Sequence, residues 1–170
     1  MPAGLKASSS VIDIGFNTTE TAANTFTESS VDLNLSPLDR EVFVVLAINL
    51  DPFLPDSVPG ITTKVQSSLT TTSQTVVKQL DNSNTLAVAL NAIMQNAGST
   101  DGASFQTVGL ETPPANLDYI GIIATNDFFV QVKGTGNLAA KAVSGKLYGY
   151  RARADASIYA ALVQSEVLSA

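Results

Sequence analysis

The sequence PLDREVFVVLAINLDPFLPD, residues 37–56, holds the longest apolar run without a charge in this chain. Between residues 42 and 50 every side chain except Asn49 is apolar, and Val, Ile and Phe give the run strong β character. Two prolines end the run sharply, since proline cannot donate to a strand ladder. We therefore predict that Glu41–Leu50 is a strand covered on both faces, at the centre of the core.

The composition describes a chain with few reactive groups and little surface charge. Its 170 residues suit one domain, and it contains no Cys and no His. The chain therefore cannot form disulfides. It also lacks histidine, which is the usual acid–base group near neutral pH and the commonest metal ligand. Only 14% of the residues are charged, whereas about a quarter are charged in a typical soluble domain. We predict a non-enzymatic subunit without cofactor or metal, whose outer surface is largely covered by its neighbours.

No segment directs the chain to a membrane. The first residues lack the continuous apolar block of a secretory signal. No stretch approaches the roughly 18 apolar residues of a transmembrane helix. We expect a chain that is made and folded in a cytoplasm and has no transmembrane segment.

The first 30 residues differ from the rest in pattern. A short apolar segment is followed by a polar, Thr-rich stretch without helical period, residues 17–30. We predict an extended N-terminal arm over residues 1–30, either loose or ordered against another subunit, and a single β-sandwich domain over residues 31–170. The apolar segment is too hydrophobic for a solvated tail. Its candidate subunit-interface residues are Val11, Ile12, Ile14 and Phe16.

Period-two alternation of apolar and polar residues runs through most of the remaining chain. It is clearest around Ile61, Val65 and Leu69, where polar residues stand between the apolar ones. Turn residues and prolines separate the segments. Besides the central strand, short strands are predicted at 31–35, 61–69, 104–110, 117–124, 128–133 and 146–154.

Two segments carry helix signals. In residues 85–97 four large apolar residues fall on one helical face, Asn84 can cap the start and Gly98 follows the end. We therefore predict a helix there. The alternation of apolar residues in the same segment also fits a strand. Residues 157–168 fit a closing strand, which we favour, or a short helix capped by Ser157.

Together these elements predict a mainly β fold. About eight to ten short strands with turns between them favour an antiparallel β-sandwich or barrel. We expect it to be jelly-roll-like, with one short inserted helix and the extended N-terminal arm.

Two motifs suggest ligand sites but lack the required context. Residues 134–139, GTGNLA, have the outline of a dinucleotide-binding turn, but Ser144–Gly145 interrupts any helix that would follow. Asp51 and Asp56 flank a proline corner, and residues 81–84 are rich in side-chain oxygen. Neither has the spacing of a calcium loop, and turn chemistry explains both.

Charge is distributed unevenly along the chain. Residues 1–60 contain eight acids and two bases, whereas residues 128–154 contain five bases and no acid. The two groups either average out over the folded surface or form complementary patches that join one copy to the next. Tyrosines interleave with the last two bases, so weak contact with nucleic acid is also considered. The candidate interface bases are Lys133, Lys141, Lys146, Arg151 and Arg153.

Residues 37–56 and 144–168, SGKLYGYRARADASIYAALVQSEVL, resemble strands of small β-rich virus coat proteins. The resemblance extends over most of the chain as a Ser/Thr/Ala-rich texture with proline corners and an arm. It implies a virion protein, made in the host cytoplasm, that self-assembles into a capsid shell with copies of itself and possibly other virion proteins. The arm carries Lys6 as its only base, which favours a shell built on protein contacts over genome binding by the arm.

Two alternatives remain open. A tube or filament subunit, such as a phage tail tube or a cell-surface fibre, would use head-to-tail contacts that do not close. A carbohydrate- or ligand-binding β-sandwich, or a glycosidase with two carboxylates, would need an aromatic platform, and the chain has no Trp and four Tyr.

Overall fold

The computed structural model describes residues 2–96, 98, 101–107 and 117–169. These residues form ten strands and one helix. Within the described residues, no helix is long and apolar enough to cross a membrane. In chain order the elements are β1 Leu5–Ala7, β2 Ile12–Thr19, β3 Thr27–Asp32, β4 Glu41–Pro52, β5 Thr63–Thr70, β6 Thr85–Gln95, β7 Gly102–Thr107, β8 Gly121–Ile123, β9 Asp127–Thr135, β10 Ala142–Ala154 and α1 Ala156–Leu168.

The strands form two antiparallel sheets of five strands each. In sheet A, β1 and β2 lie end to end along one side of β10, and β4 and then β8 follow on its other side. In sheet B the order is β3, β9, β5, β6, β7. Sheet A is therefore four strands wide and sheet B five.

Eight of the strands have the topology of a jelly roll. Leaving out β1 and β7, the outermost pair along the chain is β2 with β10, followed inward by β3 with β9, β4 with β8 and β5 with β6. Such nested pairing is the result of rolling one long antiparallel hairpin into two packed sheets. The predicted mainly β, jelly-roll-like sandwich is confirmed.

Strand β4 is covered on both of its faces over residues 42–45. Phe43 and Val45 point into the core between the sheets, while Val42 and Val44 lie beneath α1 on the outer face of sheet A. All four side chains are fully buried, and two covered faces need consecutive apolar residues. The predicted strand is therefore confirmed, but its coverage on both faces up to Leu50 is wrong, since Ala47 and Asn49 are exposed on the outer face.

The predicted helix at residues 85–97 is wrong: residues 85–95 are β6, and residue 97 lies outside the described residues. Strand β6 pairs with β5 on one side and β7 on the other. Ala87 and Ala89 face the core in alternation. Pairing on both sides therefore overrides a spacing that also fits a helix.

The strand favoured at residues 157–168 is also wrong, because this segment is α1. The helix packs on the outer face of sheet A through four side chains, Ile158, Tyr159, Leu162 and Val163. Near its end the buried Glu166 carboxylate accepts hydrogen bonds from Ala124 N at 2.8 Å and Thr125 N at 3.0 Å. Burial raises the pKa of the Glu166 carboxyl above its ordinary value.

The first 32 residues supply edge strands to both sheets. Strands β1 and β2 form one edge of sheet A, and β3 forms one edge of sheet B. The predicted division into an arm, residues 1–30, and a domain, residues 31–170, stays a prediction. The end of the strand predicted at 104–110 lies outside the described residues.

Substituting Gly149 tests the close packing of β10 on β4. A Cβ at Gly149 would overlap the Val44 carbonyl oxygen and the Phe43 ring, whereas a Cβ at Gly15 in the same sheet meets nothing. We expect Gly149→Ala to lower the free energy of unfolding by about 1–3 kcal/mol, because backbone and core must move apart. Gly15→Ala should leave it nearly unchanged in urea denaturation. Equal effects of the two substitutions would contradict this packing.

Candidate assembly surface

Several connections meet at one end of the sandwich, which we call the loop end. They are residues 20–26 between β2 and β3, residues 53–62 between β4 and β5, and residues 136–141 between β9 and β10. The end of β6 and the start of β7 lie at the same end, since antiparallel pairing aligns residue 93 with residue 63 and residue 102 with residue 95. Residues 33–40 and 71–84 connect strands at the opposite end.

Large apolar side chains are exposed at the loop end. Leu54 is 77% and Leu138 79% exposed, and the others are about half exposed. Leu54 and Phe105 line a pocket of about 260 Å³, and Met94 lies beside Phe105. We call this set the loop-end apolar surface: Phe53, Leu54, Ile61, Met94, Phe105 and Leu138.

An internal carboxylate closes the connection between β9 and β10. Asp56 accepts hydrogen bonds from Leu138 N at 2.9 Å and Ala139 N at 3.3 Å, and from Lys141 Nζ at 2.6 Å. The hydrogen bond from Lys141, followed by that from Leu138, holds the pKa of Asp56 below its ordinary value. The backbone donors of GTGNLA thus bind a carboxylate of the same chain, where a dinucleotide turn would bind phosphate.

A second carboxylate ties the first connection to the last. Glu20 is 4% exposed, and it accepts hydrogen bonds from Gly134 N at 2.6 Å and Lys141 N at 2.8 Å. A Cβ at Gly134 would lie 2.7 Å from the Asn137 side chain, so this close approach requires glycine. The two carboxylates thus join three loop-end connections, residues 20–26, 53–62 and 136–141, to one another.

Most of the predicted interface bases have partners within the chain. Lys141 pairs with Asp56, Lys146 with Asp13 at 2.9 Å and Arg153 with Asp39 at 3.9 Å. Acids from the first third of the chain thus lie against bases from its last third.

Arg151 donates a hydrogen bond to the Leu33 carbonyl at 3.0 Å. Lys133 is exposed, on the face of β9 that points away from the core. A subunit interface at Lys133, Lys141, Lys146, Arg151 and Arg153 stays a prediction.

The predicted apolar interface residues lie on β2 or just before it. Ile12, Ile14 and Phe16 pack against the core between the sheets, and the Phe16 ring meets Phe128 edge-on with 5.6 Å between ring centroids. Val11 points outward and is 60% exposed. Their assignment to an interface between subunits also stays a prediction.

Residues 2–96, 98, 101–107 and 117–169 contain no group of three or more His, Cys, Asp or Glu side chains that could hold a metal ion. Three of the four tyrosines, Tyr119, Tyr150 and Tyr159, are partly buried in the apolar cluster between α1 and sheet A.

The feature that sequence reasoning missed is the pair of carboxylates that join the loop-end connections, the buried Glu20 and the hydrogen-bonded Asp56. Glu20 stands in a polar, Thr-rich stretch that gives no sign of burial.

The chain is similar to two solved structures of viral proteins. No protein-family model and no curated protein matches the chain. A chain from Desmodium yellow mottle tymovirus is 16% identical over 92% of this chain and 96% of its own length, with a TM-score of 0.33. A chain from turnip yellow mosaic virus is 15% identical over 86% and 97%, with a TM-score of 0.27. These TM-scores are too low to indicate function, so the proposed function depends on the topology and surface of this chain.

Neutralising Asp56 tests the loop-end carboxylate. Its pKa is lower in the folded chain than the ordinary 3.8, so the ionised group stabilises the fold above that value and loses this effect as pH falls through the folded pKa. We expect Asp56→Asn to lower the melting temperature at neutral pH. The difference from the unsubstituted protein should vanish in strong acid.

Thermal unfolding between about pH 7 and about pH 2 measures this difference. Asp81→Asn, in an exposed turn, is the matched control and should have little effect at any pH. A difference between Asp56→Asn and the unsubstituted protein that is independent of pH would contradict the proposed role of the ionised carboxylate.

Proposed function

We propose that this chain is a non-enzymatic structural subunit that self-assembles into a closed shell, a virion capsid. The loop-end apolar surface is the observation that carries the proposal. Within this surface Leu54 and Met94 each lie beside Phe105, and exposed apolar side chains that lie next to one another mark interaction sites. Several copies that bury this surface against one another would gain the free energy that water exposure now costs.

Charge at the loop end supports contact through apolar groups. Lys141 and Asp56 neutralise each other, and Glu20 is buried. A subunit interface in this place would therefore desolvate few unpaired charges, which are the costly groups to bury. The proposed partners are copies of the chain. The proposal also includes contact with other virion proteins, and contact with nucleic acid through the predicted bases.

The jelly-roll sandwich suits repeated assembly because its core is formed before any partner binds. The Glu20 and Asp56 carboxylates join the loop-end connections to one another, so subunits lose little conformational freedom on association. Each contact can be weak, since repetition around closed symmetry supplies avidity. The same topology occurs in lectins and cupins, but three of the four tyrosines, which could form an aromatic platform for a sugar, are partly buried in the cluster between α1 and sheet A.

A tube or filament is the second candidate, and one observation favours it. The opposite end also exposes apolar residues, Leu38 at 97% and Leu80 at 68%. Head-to-tail contact between the loop end of one copy and the opposite end of the next would cover both sets. Such a heterologous contact stays open unless its rotation closes a ring.

Introducing one charge at each end distinguishes the two assemblies. We expect the purified protein to form closed particles in negative-stain electron microscopy and light scattering. Leu54→Asp should abolish them, because it places a charge in the buried contact. Leu38→Asp, the same change at a leucine that is exposed at the other end, should leave closed shells intact.

Loss of assembly in both variants, with tubes formed by the unsubstituted protein, would favour the filament. A monomer at high concentration, or particles that form equally well with both substitutions, would contradict the proposed function. Circular dichroism verifies that each variant keeps its β fold.

A further inference from the structure

Strand β7 is an edge of sheet B among the residues that the structure describes. Its sequence is GASFQT, all six residues are exposed, and its one strand partner among those residues is β6. The other strands of sheet B belong to the eight-stranded roll, and β7 extends the sheet beyond it. Backbone N–H and C=O groups on the outer side of an edge strand can pair with another strand.

This edge lacks the features that normally prevent pairing between molecules. Proteins protect edge strands with charged side chains, prolines, bulges or very short length. Strand β7 has no charge and no proline, and its pairing with β6 is regular over all six residues. The other edge of sheet B is protected, because β3 carries Glu28 and Asp32. In sheet A, the edge strand β8 has only three residues.

Strand β7 offers apolar surface to an added strand. Phe105 lies opposite Ala92 in the pairing of β7 with β6. The pocket of about 260 Å³ that Phe105 lines also contains Leu54, Pro55 and Ile93. A strand paired to the outer edge of β7 would extend beside this apolar surface, and its side chains would contact it.

We propose that β7 of one copy pairs antiparallel with β7 of a second copy, joining the two B sheets across a two-fold axis. This inference depends on the proposed function, since it names one surface through which the chain binds itself. Antiparallel self-pairing places each strand opposite its own sequence. In β7 no like charges meet, whereas self-pairing of β3 would bring Glu28 and Asp32 close to the same acids of the partner.

The charge pattern thus selects a second copy as the occupant and β7 as its site. The pairing is isologous and joins the outer edges of both β7 strands at once. It removes two unprotected edges, exposed Phe105 side chains included, from contact with water. If a different protein or another segment of this chain paired with β7 instead, two copies would not pair with each other through this strand.

Single cysteines test the pairing directly, because the chain contains none. Ser104→Cys places a thiol on β7, and Ser30→Cys places one at an exposed position of β3, the opposite edge of the same sheet. A short bis-maleimide should link two Ser104→Cys chains into a covalent dimer, whichever register β7 adopts. Ser30→Cys should remain monomeric on a denaturing gel. Failure of Ser104→Cys to cross-link, or equal cross-linking of both variants, would overturn the inference.

Charge at the same two positions gives an independent measure. Ser104→Lys should weaken dimerisation by about tenfold or more in sedimentation, because like charges then meet across the paired strands. Ser30→Lys is the matched control and should leave dimerisation unchanged. Thermal unfolding of both variants verifies that the fold is retained. Unchanged dimerisation of Ser104→Lys would contradict pairing through β7.

Electron microscopy of the cross-linking variant separates this inference from the proposed function. Cross-linked dimers that never form larger particles would support the β7 contact and contradict the shell. Closed shells in which Ser104→Cys does not cross-link would support the shell and overturn the β7 contact.

Discussion

The pairing of β4 with β10 is the constraint on which the rest of this structure depends. These two long strands form the middle of sheet A, and sheet B covers one of its faces while α1 covers part of the other. Burial on both faces requires the consecutive apolar residues of β4, and close backbone approach requires glycine at positions 145 and 149 of β10. The helix is thus a third layer that the apolar outer face of β4 demands, since Val42 and Val44 would otherwise meet water.

The sequence predicted the elements in which one physical cause dominates. The apolar run of residues 42–50 is part of β4, and its first four residues are covered on both faces. The alternation at residues 61–69 corresponds to β5, Thr63–Thr70. The prediction failed where two causes compete. The spacing of Leu86, Leu90 and Ile93 fits a helix, but β5 and β7 supply ladders on both sides, and sequence alone does not show those partners.

The candidate surface was less accessible to prediction because it depends on contacts between distant residues. Glu20 reaches the backbone of residues 134 and 141, and Asp56 reaches residues 138 and 139. The local sequence around Glu20 and Asp56, a Thr-rich stretch and a proline corner, does not predict these hydrogen-bond partners. Likewise, Leu54 and Phe16 are both apolar residues in mixed segments. Only the fold shows that Leu54 is largely exposed whereas Phe16 packs against Phe128.

The topology explains why acids are concentrated early in the chain and bases late in it. A jelly roll pairs early strands with late ones, so β2 lies beside β10 and the first acids meet the last bases. Lys146 reaches Asp13 for this reason, and the connection after β4 brings Asp56 to Lys141. Charges that pair within one subunit contribute little to attraction between subunits. In the proposed assembly, recognition between copies therefore depends on apolar side chains at the loop end and on backbone groups at the outer edge of β7.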